Sequence, residues 1–203
     1  MAKQIIIYDS EYWTDEGAPK RSWNGLYDQP PLLIQIGAFK VSVEEGFPIL
    51  DEFLAYSIPV GADGNEIGLT DCFVELTKIT PNILKERGQS FKKTVTDFKN
   101  FSGNFYLYSY GYDMLRTIVP SCYIARVECP FDPAQARDIR QIFKRAGLTD
   151  EQLNNNSSGT LAKFFGVDLG NHHYAHDARN DAMSLVESLR ALERQGRVNF
   201  EWF

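Results

Sequence analysis

The 203-residue sequence has few cysteines, no long apolar run and no cluster of basic residues. Cys72, Cys122 and Cys129 are odd in number and lack the paired spacing of zinc ligands, so we expect reduced thiols and a cytoplasmic protein. No apolar run approaches the roughly 18 residues of a membrane span, and the N-terminus lacks a signal pattern. We therefore predict a protein without a membrane partner.

Charge and composition restrict the class of protein further. The net charge is −6 at pH 7, and without a basic run the chain is poorly suited to tight duplex binding through many phosphate contacts. Hydrophobic residues make up 43% of the chain and charged residues 24%, a balance typical of a globular domain with a sizeable core. No internal repeat or linker-like segment is evident. We predict one domain over residues 1–203.

An acidic motif directly follows the first apolar segment. Residues 5–8 (I-I-I-Y) predict a strand that is buried on both faces. Asp9 and Glu11 come next, and in an extended chain residues two apart point to the same side. A cation relieves the repulsion between such carboxylates, and magnesium prefers carboxylate oxygens together with water and phosphate. The motif therefore indicates a metal site, with a solvated acidic turn as the alternative.

The apolar pattern predicts a strand-rich first part followed by helices. Residues 5–8, 32–40 and 50–58 predict three consecutive strands that pair antiparallel. Residues 105–109 predict a fourth strand and residues 123–127 a short further one. Capping residues and helical periodicity predict helices that begin at Thr70, at Thr80 and over residues 90–101, 112–118, 134–146, 161–166 and 177–195.

Further acidic residues and all three histidines lie near predicted helix starts. Asp113 follows the strand at 105–109, where it either repeats the metal-site pattern or compensates the helix dipole. His172, His173 and His176 lie within five positions of one another. No cysteine is near them in sequence to complete a typical zinc set, and a solvated loop is the other interpretation.

Taken together, these motifs resemble the DnaQ-like exonucleases, the superfamily with four acidic residues, in its histidine-containing (DEDDh) branch. The residues that carry the resemblance are Asp9, Glu11, Asp113, His172 and Asp177. The segments at 69–80 and at 177–180 (D-A-R-N) are similar to Eri-type and KapD-type members. The resemblance implies an α/β, ribonuclease H-like fold. In such a fold a five-stranded mixed sheet, whose first three strands are antiparallel, is flanked by helices.

The resemblance also implies a catalytic site and a substrate. Asp9, Glu11, Asp113 and Asp177 would hold two divalent ions, Mg²⁺ or Mn²⁺, about 4 Å apart, with Glu11 also catalytic. One ion would activate water, the other would stabilise the leaving 3′-oxygen, and His172 would accept the proton of the water. The expected reaction releases nucleoside 5′-monophosphates from the 3′ ends of single-stranded RNA or DNA, with RNA favoured.

Three residues are expected to form the pocket for the terminal nucleotide. They are Trp13, Leu76 and Thr77, and an aromatic side chain among them could stack on a base. For Trp13 a core position is the alternative, since large aromatic residues are usually well buried.

The histidine and the fourth carboxylate can be chosen in two ways. His172 lies five residues before Asp177, and His176 lies five residues before Asp181. We favour the first pair because D-A-R-N at 177–180 resembles the closing motif better than D-A-M-S at 181–184. Asp177 would also lie at a helix start, after a histidine on the preceding loop.

Two other functions remain open from the sequence. One is a non-catalytic nucleic-acid-binding or regulatory module on the same fold, although a cluster of unpaired acids is costly to keep for binding an anion. The other is an exonuclease that proofreads or repairs DNA, because backbone groups could supply the contacts that distinguish the two sugars.

Overall fold

A six-stranded mixed sheet with helices on both faces forms the centre of the protein, in a computed structural model that describes residues 2–170 and 174–203. The strand order is β4-β3-β2-β1-β5-β6. The strands are β1 (Gln4–Tyr12), β2 (Leu33–Ser42), β3 (Ile49–Ile58), β4 (Gly88–Ser90), β5 (Tyr106–Ser109) and β6 (Ala136–Asp138).

Strand β1 lies inside the sheet, as its run of isoleucines predicts. It pairs antiparallel with β2 and parallel with β5, and β2 pairs antiparallel with β3. The two outer strands, β4 and β6, pair parallel with their neighbours. Ile5, Ile6 and Ile7 are completely buried, because helices cover both faces of β1. The prediction of a strand buried on both faces is confirmed.

The predicted number of five strands was wrong, because the described residues form six. Strands β4 and β6 have three residues each, too few to show an alternating pattern in the sequence. Strand β6 lies within the helix predicted over 134–146, where the chain instead forms a 3₁₀ turn (Pro133–Gln135), the strand and then a short helix. The strand predicted near 123–127 is absent from the described structure, since Val119–Ile124 is helical and has a proline in its first turn.

The helices are short, apart from one on each face of the sheet. The α-helices are α1 (Asp71–Thr77), α2 (Pro81–Arg87), α3 (Phe91–Ser102), α4 (Val119–Ile124), α5 (Arg140–Arg145), α6 (Asp150–Asn154), α7 (Leu161–Phe164) and α8 (Ala178–Arg194). A π-helix (Met114–Ile118) precedes α4, and two further 3₁₀ turns lie at Pro19–Arg21 and Phe200–Trp202. None of the helices described is long and apolar enough to cross a membrane.

Helix α8 packs directly against β1 and β2 and fixes the end of the sheet where the acidic motif lies. Its Leu185 and Leu189 are completely buried in one core cluster, while α3 covers the opposite face. A Cβ atom at Gly37 of β2 would lie 2.2 Å from the backbone nitrogen of Arg179. Only a glycine therefore lets the first turn of α8 approach β2 this closely.

Candidate active site

A cleft of about 480 Å³ opens beside the second half of β1. Its walls come from β1, the segment after β1, α1, the loop after β5, residues 157–158 and the start of α8. One part of the wall is acidic and the other is largely apolar and aromatic. The cleft therefore brings together chain segments that lie far apart in the sequence.

Asp9 and Glu11 both line this cleft, as their spacing on β1 predicts. They are 7% and 8% exposed. Burial raises the pKa of both carboxyl groups well above the usual range, and the neighbouring carboxylates Asp113 and Asp181 raise it further. Like charges held in a site of low polarity resist ionisation unless a cation is present.

Asp113 joins them from the loop after β5. Its Oδ2 accepts a hydrogen bond at 3.2 Å from the hydroxyl of Ser10, the residue between the two acids of β1. Burial raises the pKa of Asp113 to about 7, although the hydrogen bond from Ser10 and the charge of Arg116 act in the opposite direction. The third acidic residue predicted from the sequence is thus part of the cleft.

Asp181 and His176 complete the acidic wall. Asp181 lies one turn into α8, is 3% exposed, and has its pKa raised to about 7, mainly by burial. Its Oδ2 accepts a hydrogen bond at 3.3 Å from the backbone N–H of His176. One ligand atom each from Glu11, His176 and Asp181 lies within 4.8 Å of the others. Burial lowers the pKa of His176, which favours its neutral imidazole.

Asp177 caps the start of α8 instead of lining the cleft. Its Oδ1 caps α8 by accepting a hydrogen bond at 3.0 Å from the backbone N–H of Asn180. Its Oδ2 accepts one at 3.0 Å from the side-chain amide of the buried Gln35. Both oxygens are therefore engaged, and Asp177 is not among the residues that line the cleft. His172 lies outside the described residues.

The three residues predicted for the nucleotide pocket separate into two groups. Leu76 and Thr77 line the cleft at the end of α1. Trp13 is only 6% exposed and packs with Ile34 and Phe73, while its Nε1–H donates a hydrogen bond to the carbonyl of Gly68. Trp13 therefore has the core position that was the alternative, and it is not among the residues that line the cleft.

Several cleft residues were missed from the sequence. Ser158 lies close enough to Asp9 and Asp181 for its hydroxyl to lower the pKa of both by hydrogen bonding. Nothing in the polar loop N-N-N-S-S-G distinguishes this serine in the sequence. Trp23 also lines the cleft, and its signal was available, since it lies in an aromatic-rich loop directly after the acidic motif.

The side chains of this wall fit a divalent-cation site. Four buried or partly buried carboxylates provide the hard oxygen ligands that Mg²⁺ and Mn²⁺ prefer. Burial raises the pKa of Asp113 and of Asp181, and a bound cation would offset this cost of ionising them. A Cβ atom at Gly159 would lie 2.2 Å from Oδ1 of Asp181. The glycine therefore leaves space next to this oxygen that a larger residue would fill.

Comparisons with known proteins bear on the fold. No family model matches the chain, and no curated protein matches it. Among solved structures, the nuclease domain of 3′hExo, a DEDDh family member bound to rAMP, superposes with a TM-score of 0.75 at 19% identity, over 98% of this chain and 96% of that one. Cell-death related nuclease 4 (CRN-4) gives 0.70 at 19% identity, over 96% of this chain and 65% of that one.

Exonuclease I of E. coli, in a complex with single-stranded DNA, superposes with a TM-score of 0.65 at 13% identity. The match covers 96% of this chain but 41% of exonuclease I. The chain thus spans nearly all of the 3′hExo nuclease domain and less than two thirds of the other two proteins. From its motifs and these superpositions, the chain has the fold of the DnaQ-like, DEDDh exonucleases.

Proposed function

We propose that the protein is a metal-dependent 3′→5′ exonuclease. It would hydrolyse the terminal phosphodiester of single-stranded RNA or DNA and release nucleoside 5′-monophosphates. One observation carries this proposal: Asp9, Glu11, Asp113, Asp181 and His176 line a single cleft on a DEDDh fold.

The four carboxylates are the proposed ligands of two Mg²⁺ or Mn²⁺ ions. When bound, such ions polarise the scissile phosphate and make water a stronger nucleophile at neutral pH. Asp181 replaces Asp177 in this set, because Asp177 already uses both oxygens to cap α8 and to bind Gln35. Glu11 and Asp9 project from the rigid central strand, which holds their oxygens in place before substrate arrives.

His176 is the proposed general base in place of His172. It is half-buried beside Glu11 and Asp181, and burial lowers its pKa. A neutral imidazole can accept a proton from the attacking water at the pH of the cell, which is the function of a general base. The chain would hold this ring through the backbone hydrogen bond from His176 to Asp181.

A single-stranded substrate agrees with the size of the cleft. A volume of about 480 Å³ is in the range of small-ligand sites and suits one nucleotide rather than a duplex. Two of the similar structures contain a histone mRNA stem-loop and single-stranded DNA, respectively. We favour RNA as the substrate, and we propose a cytoplasmic location from the three free cysteines.

The test is a digestion of matched RNA and DNA oligonucleotides that carry a 5′ label, as single strands and as duplexes. Reactions contain Mg²⁺, Mn²⁺ or EDTA. We expect a ladder that shortens from the 3′ end, nucleoside 5′-monophosphate as product, and no reaction in EDTA. Asp9→Asn should abolish turnover in a protein that still folds. A wild-type protein that releases no nucleotide with either metal would disprove the proposal and favour a binding module.

A further inference from the structure

The segment between β1 and β2 forms an ordered loop at the mouth of the cleft. Arg21 and Asp28 close it with an ion pair, in which Nη2 and Oδ1 lie 2.5 Å apart and Nε donates a second hydrogen bond at 3.2 Å. The backbone N–H of Gly25 donates to the same carboxylate at 2.7 Å. Within this loop Trp23 lies in the cleft wall, whereas Tyr27 is 91% exposed to solvent.

The backbone at Trp23 is in an uncommon conformation. Ser22 and Trp23 have φ angles of 52° and 54°, so two consecutive non-glycine residues are left-handed. The backbone N–H of Trp23 donates to the carbonyl of Ala18 at 3.0 Å, which stabilises this turn. The indole Nε1 is buried and makes no hydrogen bond within the part of the chain that the structure describes. Strained backbone is concentrated at active sites and ligand-binding sites, and a buried donor without a partner costs free energy.

The indole ring of Trp23 lies near the carboxylates of the cleft. Its ring centroid lies 5.2 Å from that of Tyr12, at an angle of 68°. Tyr12 directly follows Glu11 on β1, and its pKa is raised mainly by burial and further by the charges of Asp113, Asp9 and Glu11. Trp23 is therefore one aromatic ring away from the acidic wall. Pro19, Phe73 and Leu76 line the cleft with it and make this end apolar.

We propose that Trp23 is a base-binding residue for the 3′-terminal nucleotide. A nucleotide carries its phosphate and its base at opposite ends of the sugar. The cleft has an acidic end, where metal ions would hold the phosphate, and an aromatic end, where the base would lie. Contact between an aromatic ring and a base tolerates every base, because each base has a π-face. This inference rests on the proposed function. It names the ligand as a nucleotide that carries any base, in RNA or DNA.

Binding of AMP and of ribose 5-phosphate, which has no base, tests the inference. Both are titrated in Mg²⁺ into the wild type, Trp23→Ala, Trp23→Phe and the loop control Tyr27→Ala. We expect Trp23→Ala to weaken AMP binding by roughly 5- to 100-fold, the usual effect of losing one stacked ring. Trp23→Phe should restore most of the affinity. Ribose 5-phosphate should bind the wild type and Trp23→Ala equally, and Tyr27→Ala should change neither ligand.

Hydrolysis gives a second measurement. In a digestion of single strands that end in a normal or an abasic nucleotide, Trp23→Ala should raise KM for the normal end only, with kcat changed by less than about 2-fold. The inference is overturned if Trp23→Ala weakens the binding of AMP and of ribose 5-phosphate equally, or weakens the binding of neither. It is also overturned if Trp23→Phe binds AMP as poorly as Trp23→Ala does. A wild type that binds AMP through Trp23 but hydrolyses nothing would overturn the exonuclease and retain the base site.

Discussion

The side chain of Gln35 binds the start of α8 at two points. Its amide donates a hydrogen bond to Asp177 at 3.0 Å, and its carbonyl oxygen accepts one from the backbone N–H of Ala178 at 2.8 Å. Gln35 pairs with Glu11 across β1 and β2, so this contact fixes α8 relative to the acidic strand. Asp181, one turn further along α8, is thereby held at the cleft.

This relationship predicts different effects of substitution at the two aspartates of α8. Asp181→Asn should abolish turnover because it removes a proposed metal ligand, while the protein remains folded. Asp177→Ala should lower the free energy of unfolding by about 0.5–2 kcal/mol, the usual cost of losing a helix cap. Urea unfolding and single-turnover hydrolysis measure the two effects. If Asp177→Asn lost as much activity as Asp181→Asn at normal stability, Asp177 would be the ligand.

The histidines provide a second prediction. His176→Ala should lower the rate of the chemical step by about 10²–10⁴, the usual contribution of a positioned general base. His172→Ala, the matched control with the same spacing to an aspartate, should have a far smaller effect. Single-turnover rates with Mg²⁺ and a labelled single strand measure both. The reverse order would assign the general base to His172 and leave the exonuclease proposal intact.

The acidic wall predicts how stability depends on pH without metal. Asp113 and Asp181 have pKa values of about 7 in the folded protein, well above those of an unfolded chain. Between about pH 4 and 7 the folded state therefore binds more protons, so its stability falls as pH rises through this window. Each proton involved contributes at most about 1.4 kcal/mol per pH unit.

Urea unfolding in EDTA at pH 4.5, 5.5, 6.5 and 7.5 measures this slope, which should vanish above about pH 7. Below about pH 6.5 the lowered pKa of His176 acts in the opposite direction, so the series is repeated in His176→Ala. Asp181→Asn should reduce the slope because it removes one of the titrating groups.

Mn²⁺ should raise the melting temperature at pH 8, and should raise it less in Asp9→Asn, since an ion that binds only the folded state stabilises it. An equal rise in both proteins would place the metal elsewhere.

The sequence predicted the acidic strand and the closing helix well, but not which aspartate at the start of that helix lines the cleft. Three consecutive isoleucines and two acids two residues apart define both the burial of β1 and the shared direction of Asp9 and Glu11. The choice between Asp177 and Asp181 could not be predicted, because both follow a histidine at the same spacing. It depends on Gln35, which is 142 residues before Asp177 and contacts it only in the folded chain.

The two tryptophans near the acidic motif of β1 are a second case in which the sequence alone did not identify the residue that lines the cleft. The sequence predicted Trp13 as a base-binding residue, and Trp23, in the aromatic-rich loop that follows, was missed. The structure separates them because Trp13 continues from β1 into the core, where its backbone N–H donates to the carbonyl of Leu32. Trp23 is turned into the cleft by two left-handed residues, a conformation that the side chains of Ser22 and Trp23 do not indicate.

A last prediction concerns Asp138, which supports the loop that carries Asp113. Its Oδ1 accepts a hydrogen bond at 3.0 Å from the backbone N–H of Gly111, two residues before Asp113, and both oxygens bind Arg140. Asp138 is 7% exposed, and its negative charge raises the pKa of Asp113. Gly111 has a φ of +105°, so this turn depends on glycine as well as on the carboxylate.

Asp138→Asn should therefore have two separable effects. The amide oxygen still accepts from Gly111, so the loop should remain, but loss of the charge should lower the pKa of Asp113. The acidic limb of the pH profile of kcat/KM should then move to lower pH.

Asp138→Ala should instead weaken Mn²⁺ binding and stability together, because Gly111 and Arg140 lose their partner. Asp150→Asn, an ion-paired but exposed residue, is the matched control and should change neither. An unchanged pH profile in Asp138→Asn would mean that Asp138 acts on Asp113 through the loop alone.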